Sequence, residues 1–266
     1  MSMSLSGRAL AGTAAALLAA VGIGLGLHSV TSDLQGHPGS VRAAGAADAG
    51  SADTSPNFIE RRDPQDPLAV GEVDAPVVLV VFGDYQCGHC ASWSTHTMRD
   101  LQEHVDDGTL RIEWRDLNIF GEPSVRAALA GWAAGKQGAF LEYHHALFPD
   151  GHPRSPEQLT EHALVTLAGE LGLDTEQFAA DMHSPEAKDA IAQNQQLGYS
   201  LGASSTPAFM LDRRPMLGDQ PAEVFERSIE QALAERESDA REDSSDRTGE
   251  DAPREGTTSD PTGRTI

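Results

Sequence analysis

The sequence predicts an α/β domain in which a strand–helix–strand unit leads into a long helical block, then a hairpin and a closing helix. Three observations carry this. Val77–Phe82 is an unbroken apolar run rich in β-branched residues, the pattern of a strand buried on both faces. Leu110, Ile112 and Trp114 alternate with Arg111, Glu113 and Arg115, which gives a second strand with one polar face. Glu122 to Leu201 reads as helix, broken once at Gly151-His152-Pro153, and the short apolar runs Ala208–Leu211 and Pro215–Leu217 then flank a turn at Asp212-Arg213-Arg214.

From the N-terminus, residues 1–8 form a short stretch expected on the cytoplasmic side of a membrane. Residues 9–27 carry no charge and consist mostly of Ala, Leu, Val, Ile and Gly, enough to cross a bilayer. Arg8 precedes them and the next arginine is Arg42, which favours an N-in orientation. This segment reads as a transmembrane anchor in preference to a cleaved signal. The Ala-rich candidate cleavage region at Ala43–Ala47 lies too far downstream, and Val30-Thr31-Ser32 is only a fair site. Gly22, Gly24 and Gly26 alternate here, but without the strand–turn–helix setting of a dinucleotide fingerprint. Residues 28–56, rich in Gly, Ala, Ser and Asp, read as a flexible linker.

The folded domain is placed at 57–235. After the first strand, Gly83 and the cysteine pair lead into a helix over Ala91–Val105, with Trp93, Met98, Leu101 and Val105 on its inner face. Asp107-Gly108 turns the chain into the second strand. A strand–helix–strand order indicates parallel pairing. The helical block divides into 123–135, 138–148, 157–171, 175–183 and 186–201. Asp174 and Ser184 suit N-caps and Pro185 suits a first helical position. A final helix at about 221–235 carries Val224, Phe225, Ile229 and Leu233 at helical spacing. Residues 236–266 are Asp, Glu, Arg, Ser, Thr, Gly and Pro with little to bury, and are expected to form a disordered acidic tail.

The formal charge is −22, and Lys136 and Lys188 are the only lysines. A phosphate backbone is bound by clustered cations, so nucleic acid is not an expected partner. The two cysteines, Cys87 and Cys90, are too few and too close for a disulfide scaffold.

Their value lies in their position. Cys87-Gly88-His89-Cys90 sits where a buried strand ends and a helix begins. Unpaired N–H groups and the helix dipole favour an anion there, so the Cys87 thiol should ionise easily and attack as a solvent-reachable thiolate. Cys90, one turn later and more buried, should resolve the mixed disulfide. His89 beside the thiolate would stabilise the reduced form and make the pair more oxidising. A structural zinc site would need two further ligands, and the neighbouring His144 and His145 point in different directions on a helix. No metal is expected. Ser205-Thr206-Pro207-Ala208 precedes the hairpin, and its spacing alone does not choose between a trans turn and a cis bond.

The strand Val77–Phe82, the run Asp84-Tyr85-Gln86-Cys87-Gly88-His89-Cys90, the helical block, the Thr206-Pro207 step and Gly218-Asp219-Gln220-Pro221 together resemble the DsbA-like branch of the thioredoxin superfamily. The resemblance covers about 58–235. It implies a thioredoxin fold with a helical insertion, at about 122–202, between a βαβ half and a C-terminal ββα half. It implies protein thiol–disulfide exchange outside a bacterial cytoplasm, on reduced or unfolded exported proteins, with a membrane redox partner to recycle the cysteines and no cofactor. Thr206-Pro207 would be a cis peptide facing Cys87; it would keep metals off the thiols, and the Thr206 backbone would pair with substrate. Tyr85 would border the substrate groove. The branch often has a buried acid six residues before the first cysteine, where this chain has Val81. Asp84 is the nearest substitute proton relay, or a cap for its own loop. A reductase or isomerase, and a membrane-tethered binding or chaperone module on the same fold, are the alternatives.

Overall fold

The computed structural model of the chain describes residues 59–250. The expected cytoplasmic stretch 1–8, the anchor 9–27, the linker 28–56, residues 57 and 58 of the domain and the last part of the acidic tail, 251–266, lie outside the described residues. Among those described, no helix is long and apolar enough to cross a membrane.

A five-stranded sheet has the order β1-β3-β2-β4-β5, with β1 Ala69–Val70, β2 Val77–Gly83, β3 Leu110–Asp116, β4 Ala208–Leu211 and β5 Arg214–Leu217. β2 and β3 pair in parallel, as the strand–helix–strand order requires, and the other pairings are antiparallel. The two-residue strand β1, which pairs Ala69 with Glu113, was not legible as a strand. Every residue of β2 is buried. Val77, Leu79 and Val81 join the larger core with Trp93, Trp114, Phe209 and Phe225, while Val78, Val80 and Phe82 join a smaller one with Leu117 and Ala208. A strand with period-two side chains and both faces covered has no polar position to spare.

The helix after the cysteines starts at Gly88 and is broken into α1 Gly88–Thr95, α2 Thr97–Asp100 and α3 Gln102–Asp106, where one helix was expected. Thr95 Oγ1 donates to the Ala91 carbonyl at 2.7 Å, a back-bond to residue i−4 that bends helices. Past the break, Thr97 Oγ1 donates to Gln220 O at 3.0 Å. The expected inner-face residues Trp93, Met98, Leu101 and Val105 are all buried.

The insertion contains α4 Glu122–Lys136, α5 Phe140–Leu147, α6 Glu161–Glu170, α7 Thr175–His183 and α8 Pro185–Ser200, with 3₁₀ turns at Pro149–Gly151 and Pro156–Leu159. Asp174 Oδ1 accepts from the N–H groups of Glu176 and Gln177, and Ser184 Oγ accepts from that of Ala187, so both act as N-caps.

Two expectations need correction. The polar face of β3 is not solvated: Arg111, Glu113 and Arg115 are 4%, 0% and 0% exposed. The segment before β1 lies over them. Glu113 accepts from Arg111 and Arg115 and from the backbone N–H groups of Arg61 and Arg62, while Arg115 also pairs with Asp66 at 2.9 Å. The last helix, α9 Ala222–Glu250, runs well past 235 into the expected disordered tail. It needs little burial to do so, because i,i+4 contacts such as Gln231–Glu235 and Glu237–Arg241 support it and Arg236 ties it to Asp212.

Candidate active site

β2 delivers the chain to the site and ends at Gly83, whose backbone lies against the Trp114 indole. A Cβ at position 83 would fall 2.1 Å from that ring, so glycine is required for the close approach. The loop that follows is tied by the Asp84 carboxylate, which accepts from Gln86 N at 2.7 Å and from Phe120 N at 3.1 Å. Cys87 is the N-cap residue of α1, with extended φ/ψ of −89° and 121°, and its carbonyl accepts the first helical bond from Ala91 N at 3.0 Å.

The two thiols are free and occupy opposite environments. The Cys87 thiol is lowered to about 5, first because the Cys90 thiol donates to its thiolate, with Thr206 and the backbone N–H groups of Cys90 and His89 acting in the same direction, all against the effect of burial. Cys90 is 0% exposed, and burial, reinforced by the neighbouring Cys87 sulfur, holds its thiol well above the ordinary value. One side chain is thus poised to be an anion at neutral pH and the other to remain protonated.

Thr206–Pro207 is a cis peptide bond. Cys87 Sγ lies 3.3 Å from the Thr206 carbonyl, 119 residues away in sequence. Cys87 is only 4% exposed, so the expectation of a solvent-reachable sulfur needs correction. The Thr206–Pro207 segment lies over it, and the exposed residues of the motif are Gly88 and His89. Tyr85 is likewise misplaced by the sequence reading. It is 1% exposed, stacks on Phe148, tilts against Trp114 and meets His144 Nδ1 through its hydroxyl at 3.1 Å, so it cannot line a surface groove. Helix α5 covers it, and no local pattern near residue 85 announces a helix that starts 55 residues later. Val81 is buried in apolar company, as expected of a strand interior.

Asp84 is fully buried. Its carboxylate caps the loop as described, and its backbone N–H donates to Cys90 Sγ at 3.5 Å. Both of its predicted roles therefore fall on a residue in contact with the pair. His144 is fully buried, and burial depresses its imidazole to about 3. Its ring nitrogens meet Tyr85 and Ser94 Oγ, the latter at 2.9 Å, which leaves neither for a metal shared with the cysteines.

The sequence reading missed Asp116 and Asn194. Asp116 is 0% exposed; its Oδ1 accepts from Trp114 Nε1 at 2.9 Å and its Oδ2 from Asn194 Nδ2 at 3.4 Å. Burial pushes this carboxyl up to about 6, with Asp84 acting in the same direction. A signal existed for each. Asp116 shares the parity of Leu110, Ile112 and Trp114, which puts it on the core face of β3. Asn194 falls on the buried face of α8 with Ala187, Ile191 and Gly198.

The family profile described as "Thioredoxin" matches residues 63–231. A probable disulfide bond formation protein D of Bacillus anthracis is 28% identical over 145 residues, 53% of this chain and 67% of that protein. Among solved structures, a thioredoxin-like oxidoreductase from Silicibacter pomeroyi is 33% identical with a TM-score of 0.55, covering 65% of this chain and 94% of that one. Oxidised BdbD from Bacillus subtilis has a TM-score of 0.57 at 23% identity over 64% of this chain and 94% of its own, a likeness of fold. The chain belongs to the thioredoxin superfamily and is a protein thiol–disulfide oxidoreductase of its DsbA-like branch.

Proposed function

We propose that this protein introduces disulfides into exported proteins outside the cytoplasm, with Cys87 as the attacked sulfur and Cys90 as the leaving one. The observation that carries the reading is the split between the two thiols, Cys87 lowered to about 5 and Cys90 raised. A stabilised thiolate makes the reduced enzyme the low-energy product and the disulfide a good oxidant. In the oxidised enzyme a client thiolate attacks Cys87 Sγ, the Cys87–Cys90 bond breaks, and its electron pair leaves on Cys90. A second client thiolate then attacks the mixed disulfide, so that the client is oxidised by two electrons and the enzyme leaves as a dithiol. A membrane redox partner reoxidises it. Thr206 and Pro207 support binding of an extended client strand at the sulfur, and His89 borders the approach. The uncharged stretch 9–27 supports a membrane tether.

The near-burial of Cys87 favours a second reading, a binding or chaperone module with slow exchange, and a reductase or isomerase would run the same steps in reverse. One experiment separates them. The oxidised full chain is mixed with a reduced, unfolded client at neutral pH and client thiols are counted. Stoichiometric loss of client thiols is expected for the wild type and none for Cys87→Ser, while Cys90→Ser given a disulfide-bonded client is expected to be trapped through Cys87 as a mixed disulfide, the second client sulfur leaving as a thiolate. A reduction potential near the thioredoxin value of about −270 mV would overturn the oxidising direction. Full client oxidation by Cys87→Ser would overturn the site.

A further inference from the structure

Between α4 and α8 runs a cavity of about 500 Å³ that the exchange chemistry does not use. Val125 and Leu129 of α4 and Ile191 of α8 give it an apolar lining, and Lys188 and Tyr199 stand at its two ends on one face of α8. Its polar wall is Asn118, from the loop between β3 and α4. Ile119 N donates to Leu117 O at 2.8 Å, which puts Asn118 at the tip of a three-residue turn. Asn118 is 7% exposed, and neither its Nδ2 nor its Oδ1 has a hydrogen-bond partner among the described residues. Buried carboxamides are normally paired, so this one is an open donor and acceptor in the wall of an apolar cavity.

One end of the groove adjoins the cysteine loop. Leu117 N donates to Gly83 O at 2.8 Å and Phe120 N to the Asp84 carboxylate at 3.1 Å, while Tyr199 precedes Thr206 by seven residues. Ile119, Phe120 and Tyr199 are exposed at this end. The other end is Lys188, eleven residues before Tyr199 and so about 16 Å away along α8. It is one of two lysines in a chain of net charge −22. Lys136, the other, lies over the Trp132 ring, whereas Lys188 forms no ion pair among the described residues. An extended chain advances about 3.3 Å per residue, so the groove takes about five residues.

We propose that this groove is an exosite that grips an apolar stretch of an unfolded client, with one peptide unit on Asn118 and an acidic client side chain at Lys188. The client C=O accepts from Asn118 Nδ2 and the client N–H donates to Oδ1, a match that a hydrocarbon chain cannot make. Apolar client side chains bury against Val125, Leu129 and Ile191. The lone cation at the far end favours Asp or Glu there over Lys or Arg. The client cysteine lies beyond the Phe120 end, toward Cys87. The grip stands on the groove alone, and that its occupant is a client rests on the exchange function proposed above. The contact is made by the insertion and the loop before it, in addition to any pairing of client backbone at Thr206.

The probe is the cysteine-free peptide acetyl-Leu-Val-Ala-Leu-Glu-amide, titrated into the reduced full chain by calorimetry and by ¹⁵N NMR. Saturable binding with a shifted Asn118 side-chain amide signal is expected. Asn118→Ala should weaken it about tenfold, as loss of a buried hydrogen-bond pair does. Ala192→Glu, at an exposed position lining the groove, sets a carboxylate there without disturbing the core and should weaken it by at least as much. Lys188→Glu should reverse the preference, so that the peptide ending in Lys-amide binds better than the one ending in Glu-amide. No binding to the wild type, or equal binding by all three variants, would overturn the proposal, as would laurate shifting the Asn118 signal where the peptide does not. On the oxidised full chain, the rate on a reduced apolar client relative to the rate on glutathione should fall about tenfold in Ala192→Glu, and an equal fall on both would overturn the exosite. Wild-type protein that binds the peptide yet oxidises no client would count against the exchange reading and not against the groove.

Discussion

Cys87 and Cys90 are the same side chain three positions apart, and their surroundings alone separate them. Cys87 caps the first turn of α1 and collects donors, while Cys90 faces the core. The difference has a measurable consequence for stability. The folded Cys87 thiol sits near 5, below its ordinary 9.0, so the stability it adds to the reduced protein is complete above about pH 9 and is lost as pH falls through 5. Two units at pH 7 correspond to about 3 kcal/mol. The oxidised protein has no thiol to ionise. Denaturant unfolding should therefore show the reduced chain gaining about 2 kcal/mol over the oxidised chain between pH 5 and pH 7. Parallel pH dependence of the two forms would mean that Cys87 is an ordinary thiol.

The helices of the insertion show how far local chemistry reaches. Asp174 and Ser184 were identifiable as caps because a side-chain oxygen before a helix satisfies N–H groups two or three residues on, whatever the rest of the molecule does. Replacing Asp174 by Ala is expected to cost about 1 kcal/mol in urea unfolding with no change in exchange rate, since the cap is remote from the cysteines. A change in rate would show that α7 communicates with the site. The helix after the cysteines was read as one piece because its apolar spacing is continuous. Its first break is flanked by hydroxyl groups that bond back to the helix and across to Gln220, which apolar periodicity does not report. The extension of α9 has a similar origin, in charged residues that pair along the helix rather than in buried ones.

At the scale of the whole domain, the segment before β1 and the insertion are fastened to the sheet by buried polar groups. Glu113 is the hub, fully buried between Arg111 and Arg115 and bonded to the Arg61 and Arg62 backbone. Glu113→Ala is expected to destabilise the fold by about 3–5 kcal/mol, because it strands two buried guanidinium groups. Thermal or denaturant unfolding checks this, and a loss below 1 kcal/mol would show that the network relaxes into water. The Tyr85–His144–Ser94 chain joins the cysteine loop, α5 of the insertion and α1.

The strand alternation, the caps, the helix-start placement of the cysteines and the parallel pairing were all decided by the sequence, because each depends on residues within one element or on the order of elements. The tertiary structure alone decided that Thr206 covers Cys87, that α5 closes over Tyr85, that the polar stripe of β3 is buried, and that Asp116 stands beside Asp84. These are contacts between groups 30 to 120 residues apart. Their energy comes from desolvation and pairing that exist only once the chain has closed those loops, so a linear pattern carries a hint of them but not their geometry.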